Sequence, residues 1–287
     1  MTSALLITGA SGTIGKELVK QLQARGVDYA VMSSKPAATA AAVAGRAAVF
    51  GDFADAASLR EAFAGVQTLF LLFPFTPESV DLARNAVEAA KAAGVKHIVR
   101  SSGAGAEAGS PVRIADLQGR IDALIEQSGI AYTLLRPAGF MQNWVNFHAG
   151  QIKAGSYAAA HGDAAISMVD VRDIAEVAAL VLTNPAAHAG KAYTLTGGEA
   201  LSTGEQVALI SRAIGRPVRY EAISAEQAEA TLRGWGLPEE QIALFSSLAY
   251  VYSQGWAAGL SPDVQALTGH APRSFADFVT EHVAAWQ

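Results

Sequence analysis

Three glycines near the start of the chain have the spacing of a phosphate-binding loop. Gly9, Gly12 and Gly15 form a GxxGxxG pattern between a strand-like apolar run (4–8) and a helical pattern (15–25). Gly9 would permit a tight turn, Gly12 would let the backbone approach a pyrophosphate, and Gly15 would let the helix pack closely on the strand. The helix would direct its free N–H groups and its positive dipole end at the phosphates. This pattern predicts a bound nicotinamide dinucleotide; the alternative is a tight turn that binds nothing.

Side chains of the same loop add to the expected phosphate contacts. Ser11 and Thr13 carry hydroxyl donors, and Ile14 follows them at the start of the helix. We therefore predict that the cofactor contacts Gly9, Ser11, Gly12, Thr13 and Ile14.

The end of the second predicted strand indicates which dinucleotide is bound. An acidic residue there would bind the ribose 2′-hydroxyl of NAD and repel the 2′-phosphate of NADP. The chain has Ser33-Ser34-Lys35-Pro36 at this point, which are two hydroxyls and a lysine without an acid. We predict that Ser34 and Lys35 contact the 2′-phosphate and that NADPH is preferred over NADH by charge complementarity. The alternative is a plain turn with a solvated Lys35.

Short apolar runs alternate with longer helical patterns in the first half of the chain. This alternation predicts a parallel sheet with helices on both faces, which binds ligands beyond the carboxyl ends of its strands. The expected fold class is α/β, with a Rossmann-like parallel sheet. Its predicted strands are 4–8, 29–32, 48–50, 68–73, 97–101 and 132–136, and its predicted helices are 15–25, 36–44, 57–64, 79–93 and 112–127.

After about residue 140 the pattern changes to short strands among helices, which predicts a smaller C-terminal α+β lobe. Its expected strands are 150–157, 192–196 and 218–221, and its expected helices are 173–182, 203–214, 225–235, 239–254 and 273–286. We predict a single domain over 1–287, in which 1–150 form the dinucleotide-binding lobe and 151–287 mainly the substrate lobe. Residues 166–183 are expected to pack back on the first lobe.

The composition excludes several classes of function. With 51% hydrophobic residues among 287 and a formal net charge of −5, neither disorder nor a nucleic-acid surface is expected. The absence of cysteine excludes disulfides and thiol catalysis, and no histidine or carboxylate spacing predicts a metal site. The start of the chain lacks a signal-peptide pattern, and the most apolar stretch, 66–75, is too short to span a bilayer. We expect a soluble cytoplasmic protein, a monomer or a homodimer, that binds neither membranes nor nucleic acid.

Several further runs carry a family resemblance together with the glycine loop. Gly51-Asp52-Phe53 follows the third predicted strand, 92–102 include the fifth, and 128–137 lead into Phe-Met-Gln-Asn at 140–143. With 169–175, these runs resemble the NmrA-like branch of atypical short-chain dehydrogenases/reductases over nearly the whole chain. The runs 236–238 and 267–269 are most similar to its sub-branch of NADPH quinone reductases, triphenylmethane reductases and NAD(P)H azoreductases.

The resemblance implies further cofactor contacts and a function. Asp52 would accept a hydrogen bond from the adenine amino group, and Phe53 would pack nearby. The family includes reductases and also redox sensors that bind the dinucleotide without turning it over. We favour an NADPH-dependent reductase that passes hydride to a small aromatic acceptor, such as a quinone or an azo compound, with the sensor as the alternative. The other positions implied at the cofactor are Phe73, Pro74, Ser101, Ser102, Gln118, Pro137 and Phe140.

The acid–base pair of ordinary short-chain dehydrogenases is missing from this chain. That pair is Tyr-x-x-x-Lys, and no tyrosine here is followed by lysine at this spacing. Where the NmrA-like pattern often has lysine or histidine, this chain has Gln118, which hydrogen-bonds but does not transfer protons at neutral pH. We assign no catalytic residue. A quinone, whose reduction gives a stable phenolate-like anion, fits such a site better than a simple ketone, and an azo compound is intermediate because its nitrogen must be protonated.

Two runs at the predicted ligand end of the sheet could form the wall of a substrate site. Aromatic rings there would stack on a flat acceptor, and the amide of Asn143 or Gln142 would bind a carbonyl oxygen. For each residue singly, core packing is an equal alternative. The candidates are Phe75 after the fourth strand, and Phe140, Met141, Asn143 and Trp144 after the sixth.

Overall fold

The computed structural model describes residues 3–35 and 48–287. The predicted helix at 36–44 lies outside these residues. None of the helices in the described ranges is long and apolar enough to cross a bilayer.

Seven strands form one sheet in the order β3-β2-β1-β4-β5-β6-β7, and every neighbouring pair from β3 to β6 is parallel. Because the order reverses at β1, the chain leaves β1 and β4 toward opposite sides of the sheet, which opens a crevice at their carboxyl ends. The strands are β1 (Leu5–Ile7), β2 (Ala30–Ser33), β3 (Ala48–Phe50), β4 (Thr68–Leu71), β5 (His97–Ser101), β6 (Ala131–Pro137) and β7 (Lys191–Leu195).

The central strands are buried on both faces, as expected for a parallel sheet covered by helices. Leu6, Ile7, Phe70 and Val99 have no exposed surface. The covering helices present apolar residues at helical spacing. The helix Ser79–Ala93 ends at Gly94, which has a left-handed backbone conformation (φ 73°). These helices are α1 (Thr13–Ala24), α2 (Ala56–Ala62), α3 (Ser79–Ala93) and α4 (Arg113–Glu126). The predicted Rossmann-like α/β fold is confirmed.

Shorter elements follow the sixth strand. Strands Ser156–Ala159 and Arg219–Ala222 pair in parallel, and Ala165–Ile166 pairs antiparallel with Leu201–Ser202. The helices are Asn143–Asn146, Ala149–Ala154, Val171–Thr183, Thr203–Ile214, Ala225–Gly234, Glu239–Ser253, Asp263–Thr268 and Phe275–Glu281, with 3₁₀ turns at Pro185–His188 and Val283–Ala285. An aromatic core that includes Trp144, Tyr157, Phe278 and Trp286 lies among them.

The chain divides into two compact units. The first unit contains the described residues of 1–111 with 115–137 and 174–194, and the second contains 112–114, 138–173 and 195–287. Apart from 174–194, the first unit therefore ends at Pro137, ahead of the predicted boundary at residue 150. A single domain over the whole chain remains a prediction.

Two predicted elements of the second half were wrong. Residues 150–157 do not form one strand: the helix Ala149–Ala154 ends at Gly155, whose left-handed backbone (φ 92°) turns the chain into the strand Ser156–Ala159. The predicted helix 273–286 is shorter than expected. It is capped by the Ser274 side chain, ends at Glu281, and is followed by a separate 3₁₀ turn.

Candidate cofactor and active site

The glycine loop forms a close turn between β1 and α1. Gly9 has a left-handed backbone (φ 66°), and its carbonyl oxygen accepts the N–H of Gly12 at 2.9 Å. A Cβ built on Gly15 would lie 2.1 Å from this oxygen, and a Cβ on Gly12 would lie 3.2 Å from it. A side chain at either position would press on the backbone, so the turn stays this tight only with glycine. The result is a backbone cradle of the kind that a pyrophosphate needs.

The N-terminus of α1 offers backbone donors at this loop. Gly12 is its N-cap, no described side chain caps the helix, and its first turn contains no acidic residue. Ser11 is exposed beside the helix end, whereas the Ile14 side chain is buried. Because the first N–H groups of a helix lack partners within it, an anionic group such as phosphate fits this position.

Thr8 joins the carboxyl ends of β1 and β4. Its buried hydroxyl donates to the carbonyl oxygen of Phe70 at 3.0 Å and accepts the N–H of Leu72 at 2.9 Å. The Leu72 side chain in turn lies 3.0 Å from the place of a Cβ on Gly9. The segment after β4 is therefore held against the glycine loop.

The turn after β2 is the predicted site of the 2′-phosphate. The Ser33 hydroxyl accepts the N–H of Lys35 at 3.0 Å, and the N–H of Gly51 donates to the Ser33 carbonyl oxygen at 3.1 Å. Ser34 and Lys35 are exposed. The arrangement joins the ends of β2 and β3 and leaves a polar turn that carries a lysine and no acid.

Two predicted cofactor residues, Phe53 after β3 and Phe73 after β4, come together in the first unit. The rings of Phe53 and Phe73 pack with their centroids 4.8 Å apart, and Asn85 donates to the Phe53 carbonyl oxygen at 2.9 Å. Asp52 accepts the N–H of Ala54 at 2.9 Å with Oδ1. Oδ1 of Asp52 thus stabilises the local turn by accepting from Ala54. The adenine contact that the resemblance implies would then be made by Oδ2.

The short segment after Phe73 is fixed by the first residue of α3. The Ser79 hydroxyl donates to the Pro74 carbonyl oxygen at 2.5 Å and accepts the N–H of Thr76 at 3.1 Å. Pro74 is exposed, and Phe75 is partly buried beside it. These bonds hold Phe73, Pro74 and Phe75 in one defined turn at the carboxyl end of β4.

A buried charged cluster lies at the carboxyl end of β5. Arg100 and Asp122, only 1% and 2% exposed, form an ion pair, and Nη2 of Arg136 lies 3.0 Å from Oδ2 of Asp122. The Ser102 hydroxyl accepts from Arg100 at 2.7 Å and donates to Asp122 at 3.0 Å. Burial lowers the pKa of Arg100, and the Asp122 carboxylate opposes that effect. With two guanidinium groups to one carboxylate, the cluster is cationic.

Gln118 is joined to this cluster by its carbonyl groups. Its Oε1 accepts a hydrogen bond from Nη2 of Arg100, and its backbone oxygen accepts from Nη1 at 3.1 Å. A guanidinium has only donors, so it holds the side-chain oxygen of Gln118 toward itself. The amide nitrogen is then the group that Gln118 can offer to a ligand. Gln118 can therefore donate a hydrogen bond without transferring a proton.

Two further predicted residues end strands at the same edge of the sheet. Ser101 ends β5 and Pro137 ends β6, and both are buried. The carboxyl ends of parallel strands share one edge, so the structure brings the predicted cofactor residues of the first unit to that edge. They are Gly9, Ser11, Gly12, Thr13, Ile14, Ser34, Lys35, Asp52, Phe53, Phe73, Pro74, Ser101, Ser102, Gln118 and Pro137.

The predicted residues after β6 belong to the second unit. Met141 and Trp144 are 1% and 3% exposed in its core, and the Trp144 indole donates to Oε1 of Gln206 at 2.8 Å. Met141 and Trp144 thus pack in the core, which was the alternative to substrate contact in the sequence analysis. Phe140 and Asn143 are partly exposed and stay candidates for ligand contact.

Gln142 has both ends of its amide engaged within the second unit. Its nitrogen donates to Asp170 at 2.8 Å, and its oxygen accepts the N–H of Val171 at 2.9 Å. Of the two amides considered for a carbonyl oxygen, Asn143 is therefore the better candidate.

Three residues of interest were missed from the sequence. Arg100 stands within the apolar strand β5, and Asp122 lies on the buried face of α4. Both residues are charged at positions that the pattern predicts to be buried, and such charges need partners. This was a sequence signal for a buried polar cluster. Tyr252 offered no such signal. Its hydroxyl packs against Gly139, a contact that only the fold reveals.

Among the described residues, no group of histidine, aspartate and glutamate side chains could hold a metal ion. The chemistry of the first unit is that of backbone amides, hydroxyls and one cationic cluster at a sheet edge.

Comparison with known proteins identifies the family. A model of the NmrA-like family matches residues 1–265. The chain belongs to the NmrA-like family. This NmrA-like protein is 36% identical over 283 residues to an NAD(P)H azoreductase of Xenophilus azovorans, with 98% of this chain and 99% of the relative covered.

Solved structures of the same family have the same fold. An NADPH-dependent quinone oxidoreductase of Escherichia coli, crystallised with NADPH, is 30% identical with a TM-score of 0.86, covering 96% of this chain and 99% of that one. The triphenylmethane reductase of Citrobacter sp., complexed with NADP(H), is 26% identical with a TM-score of 0.84, covering 97% and 99%. The predicted family and sub-branch are confirmed by these matches.

Proposed function

We propose that this NmrA-like protein is an NAD(P)H-dependent reductase of aromatic acceptors and that it prefers NADPH. The observation that carries the proposal is the backbone cradle of Gly9, Gly12 and Gly15 at the uncapped end of α1. A Cβ at Gly12 or Gly15 would press on the Gly9 carbonyl oxygen and disturb this tight turn, so the residues present fit a dinucleotide pyrophosphate. Relatives of nearly the same length are an NAD(P)H azoreductase and an NADPH-dependent quinone oxidoreductase, which supports the reductase over the redox sensor.

The preference for NADPH rests on the turn after β2. Ser34 and Lys35 are exposed there, and no acid precedes them in the strand. A 2′-phosphate would gain charge-assisted hydrogen bonds from the lysine and from the hydroxyl groups. The ribose 2′-hydroxyl of NADH would lack its usual carboxylate partner.

The nicotinamide end of the cofactor is assigned to the ends of β5 and β6. The nicotinamide supplies the hydride when the cofactor is bound. Gln118, oriented by Arg100, donates an amide N–H to a ribose hydroxyl or to a carbonyl oxygen. The cationic cluster behind Gln118 also favours negative charge that develops on the acceptor.

The acceptor class follows from the groups that the first unit lacks. No described tyrosine has a lysine placed to lower its pKa, so a simple ketone would have to become an alkoxide without a tuned acid. A quinone becomes a stable phenolate-like anion and needs no such acid. The missing acid therefore favours quinones, the acceptor in the name of one relative. We propose azo compounds as well because another relative is an NAD(P)H azoreductase.

The experiment has two stages. Calorimetric titration with NADPH and NADH is expected to show binding of both, with NADPH the tighter ligand. The NADPH complex is then mixed with menadione, methyl red and an aliphatic aldehyde, and loss of nicotinamide absorbance is expected with the first two. Failure to bind either nucleotide would overturn the proposal. Tight binding without turnover would favour the redox sensor.

A further inference from the structure

The charged cluster at the carboxyl end of β5 has more hydrogen-bond donors than acceptors. The Asp122 carboxylate accepts from Arg100 with Oδ1. Its Oδ2 accepts from the Ser102 hydroxyl at 3.0 Å and from Nε of Arg136 at 3.1 Å. Nε of Arg100 is nevertheless buried without a hydrogen-bond partner among the residues that the structure describes. A buried N–H group without an acceptor is unfavourable, so the cluster is short of acceptors.

The same cluster is short of negative charge. Two guanidinium groups share one carboxylate. Burial lowers the pKa of Arg100, the Asp122 carboxylate opposes this effect, and the positive charge of Arg136 adds to it. Buried positive charge in excess of its counter-charge is unfavourable, so an anion next to the cluster would be bound favourably.

Arg136 is the charged member of the cluster that a ligand can reach. Its side chain is 27% exposed, whereas those of Arg100 and Asp122 are at most 2% exposed. Its bonds to Asp122 use Nε and Nη2, so its Nη1 can donate to a ligand. Because the carboxylate already holds the guanidinium in place, Arg136 loses little side-chain freedom when it binds an anion.

The backbone next to Arg136 bonds to the segment that follows β5. The N–H of Ser102 donates to the Leu135 carbonyl oxygen at 2.7 Å. A Cβ built on Gly103, in the same segment, would lie 3.5 Å from Cγ of Gln118. Arg136 and Gln118 therefore lie beside the same segment of the sheet edge, where the nicotinamide end of the cofactor is assigned.

The position of β6 in the sheet indicates which molecule would carry the anion. β6 lies three strands from β1, which is about 14 Å at the usual strand spacing. The cofactor pyrophosphate is assigned to the loop after β1, and the 2′-phosphate to the turn after β2, which is one strand farther away. The nicotinamide end of the cofactor carries no other anionic group. An anion at Arg136 would therefore belong to the acceptor.

We propose that Arg136 binds a carboxylate on the acceptor and so selects aromatic acceptors that carry one. This inference rests on the proposed function, because it is the nicotinamide that places the acceptor at this edge of the sheet. The carboxylate accepts a charge-assisted hydrogen bond from Nη1 and supplies the negative charge that the cluster lacks. Arg136 takes no part in the hydride transfer and determines specificity alone.

Two azo dyes that differ by one carboxylate test this assignment. They are methyl red and dimethylaminoazobenzene, which is the same dye without the carboxylate. With NADPH, kcat/KM is measured for both dyes, and their ratio cancels any effect of a substitution that is common to both. Arg136→Met is expected to lower the ratio for methyl red over the uncharged dye about tenfold, mainly through the KM of methyl red, which is the low end for a hydrogen bond to a charged group. Arg136→Lys keeps the charge without the planar fork and should lower the ratio about threefold.

Arg120→Met is the matched control, because it removes the same charge from an exposed position on α4. Arg120 is 54% exposed and pairs with Asp116. This control should leave the ratio unchanged. A wild-type ratio in Arg136→Met would overturn the inference, and so would an equal fall in Arg120→Met, which would show a general effect of net charge. Where Arg136→Met does not fold, a wild-type ratio in Arg136→Lys overturns the inference.

Titration of the dyes separates this inference from the proposed function. Both dyes are titrated into the protein with and without NADP⁺, and binding is followed by the absorbance of the dye. Arg136→Met is expected to weaken methyl red about tenfold relative to the uncharged dye. If the wild type reduces neither dye nor menadione, the proposed function fails, whereas this selective loss of binding still supports the carboxylate contact. Equal affinity of wild type and Arg136→Met for methyl red overturns the contact even when both dyes are reduced.

Discussion

Replacing Asp122 by alanine is expected to destabilise the protein strongly, because Arg100 would lose its counter-charge in a buried position. Both side chains are at most 2% exposed, so little water can replace the carboxylate. Breaking a buried ion pair from one side costs about 3–5 kcal/mol. Since Ser102 and Gln118 still accept hydrogen bonds from Arg100, we expect the lower end, about 3 kcal/mol. For a chain of this size, the corresponding fall in Tm is roughly 6–12 °C.

Replacing Arg100, the other partner of this pair, should lower the free energy of unfolding by less. Arg100→Met leaves Asp122 with Arg136, whose Nε lies 3.1 Å and Nη2 3.0 Å from Oδ2, and Arg136 is 27% exposed. The methionine also fills part of the volume of the lost arginine. We expect a loss of about 1–2 kcal/mol, since buried pairs are often replaced by apolar side chains at small cost.

Urea unfolding followed by circular dichroism at neutral pH measures both changes. The control is Arg120→Ala, which breaks the exposed pair of Arg120 with Asp116, whose atoms lie 3.8 Å apart. Such surface pairs contribute about 0–1 kcal/mol. An Asp122→Ala variant as stable as this control would refute the reasoning, because burial would then not have raised the cost of the unpaired arginine.

Four other predictions concern the site and its pH dependence. Gly15→Ala should lower NADPH affinity at least about tenfold in calorimetry, because its Cβ would meet the Gly9 oxygen at 2.1 Å and open the loop. Gln118→Glu keeps an oxygen for Arg100 but loses the N–H donor, so kcat should fall about tenfold at unchanged Tm; equal kcat would exclude the donor role. Ser34→Asp with Lys35→Ala should lower the preference for NADPH over NADH about tenfold in competing titrations. Burial lowers the pKa of His148 to about 4, so its contribution to stability is present above about pH 6.5 and is lost as the pH falls toward 4. Unfolding free energy at pH 5 should thus be roughly 2 kcal/mol below that at pH 7, and His148→Gln should reduce this difference.

Local signals predicted most elements of the sheet and its helices. The helix Ser79–Ala93 and the strand His97–Ser101 have their predicted bounds, because the helical pattern ends at Gly94 and a buried apolar run follows. The helix Thr203–Ile214 also has its predicted bounds, since Ser202 and Glu205 form a capping box at its start. These signals act within a few residues, so one sequence is sufficient to find them.

Contacts between distant parts of the chain could not be predicted in this way. The pair of Arg100 with Asp122 joins residues that lie 22 positions apart, on β5 and α4. The local sequence around either residue does not indicate which residue is its partner. The same holds for Tyr252, whose contact with Gly139 depends on how the second unit folds. The glycine loop differs from both because its function depends on adjacent residues. Its location and its backbone geometry could therefore be inferred together.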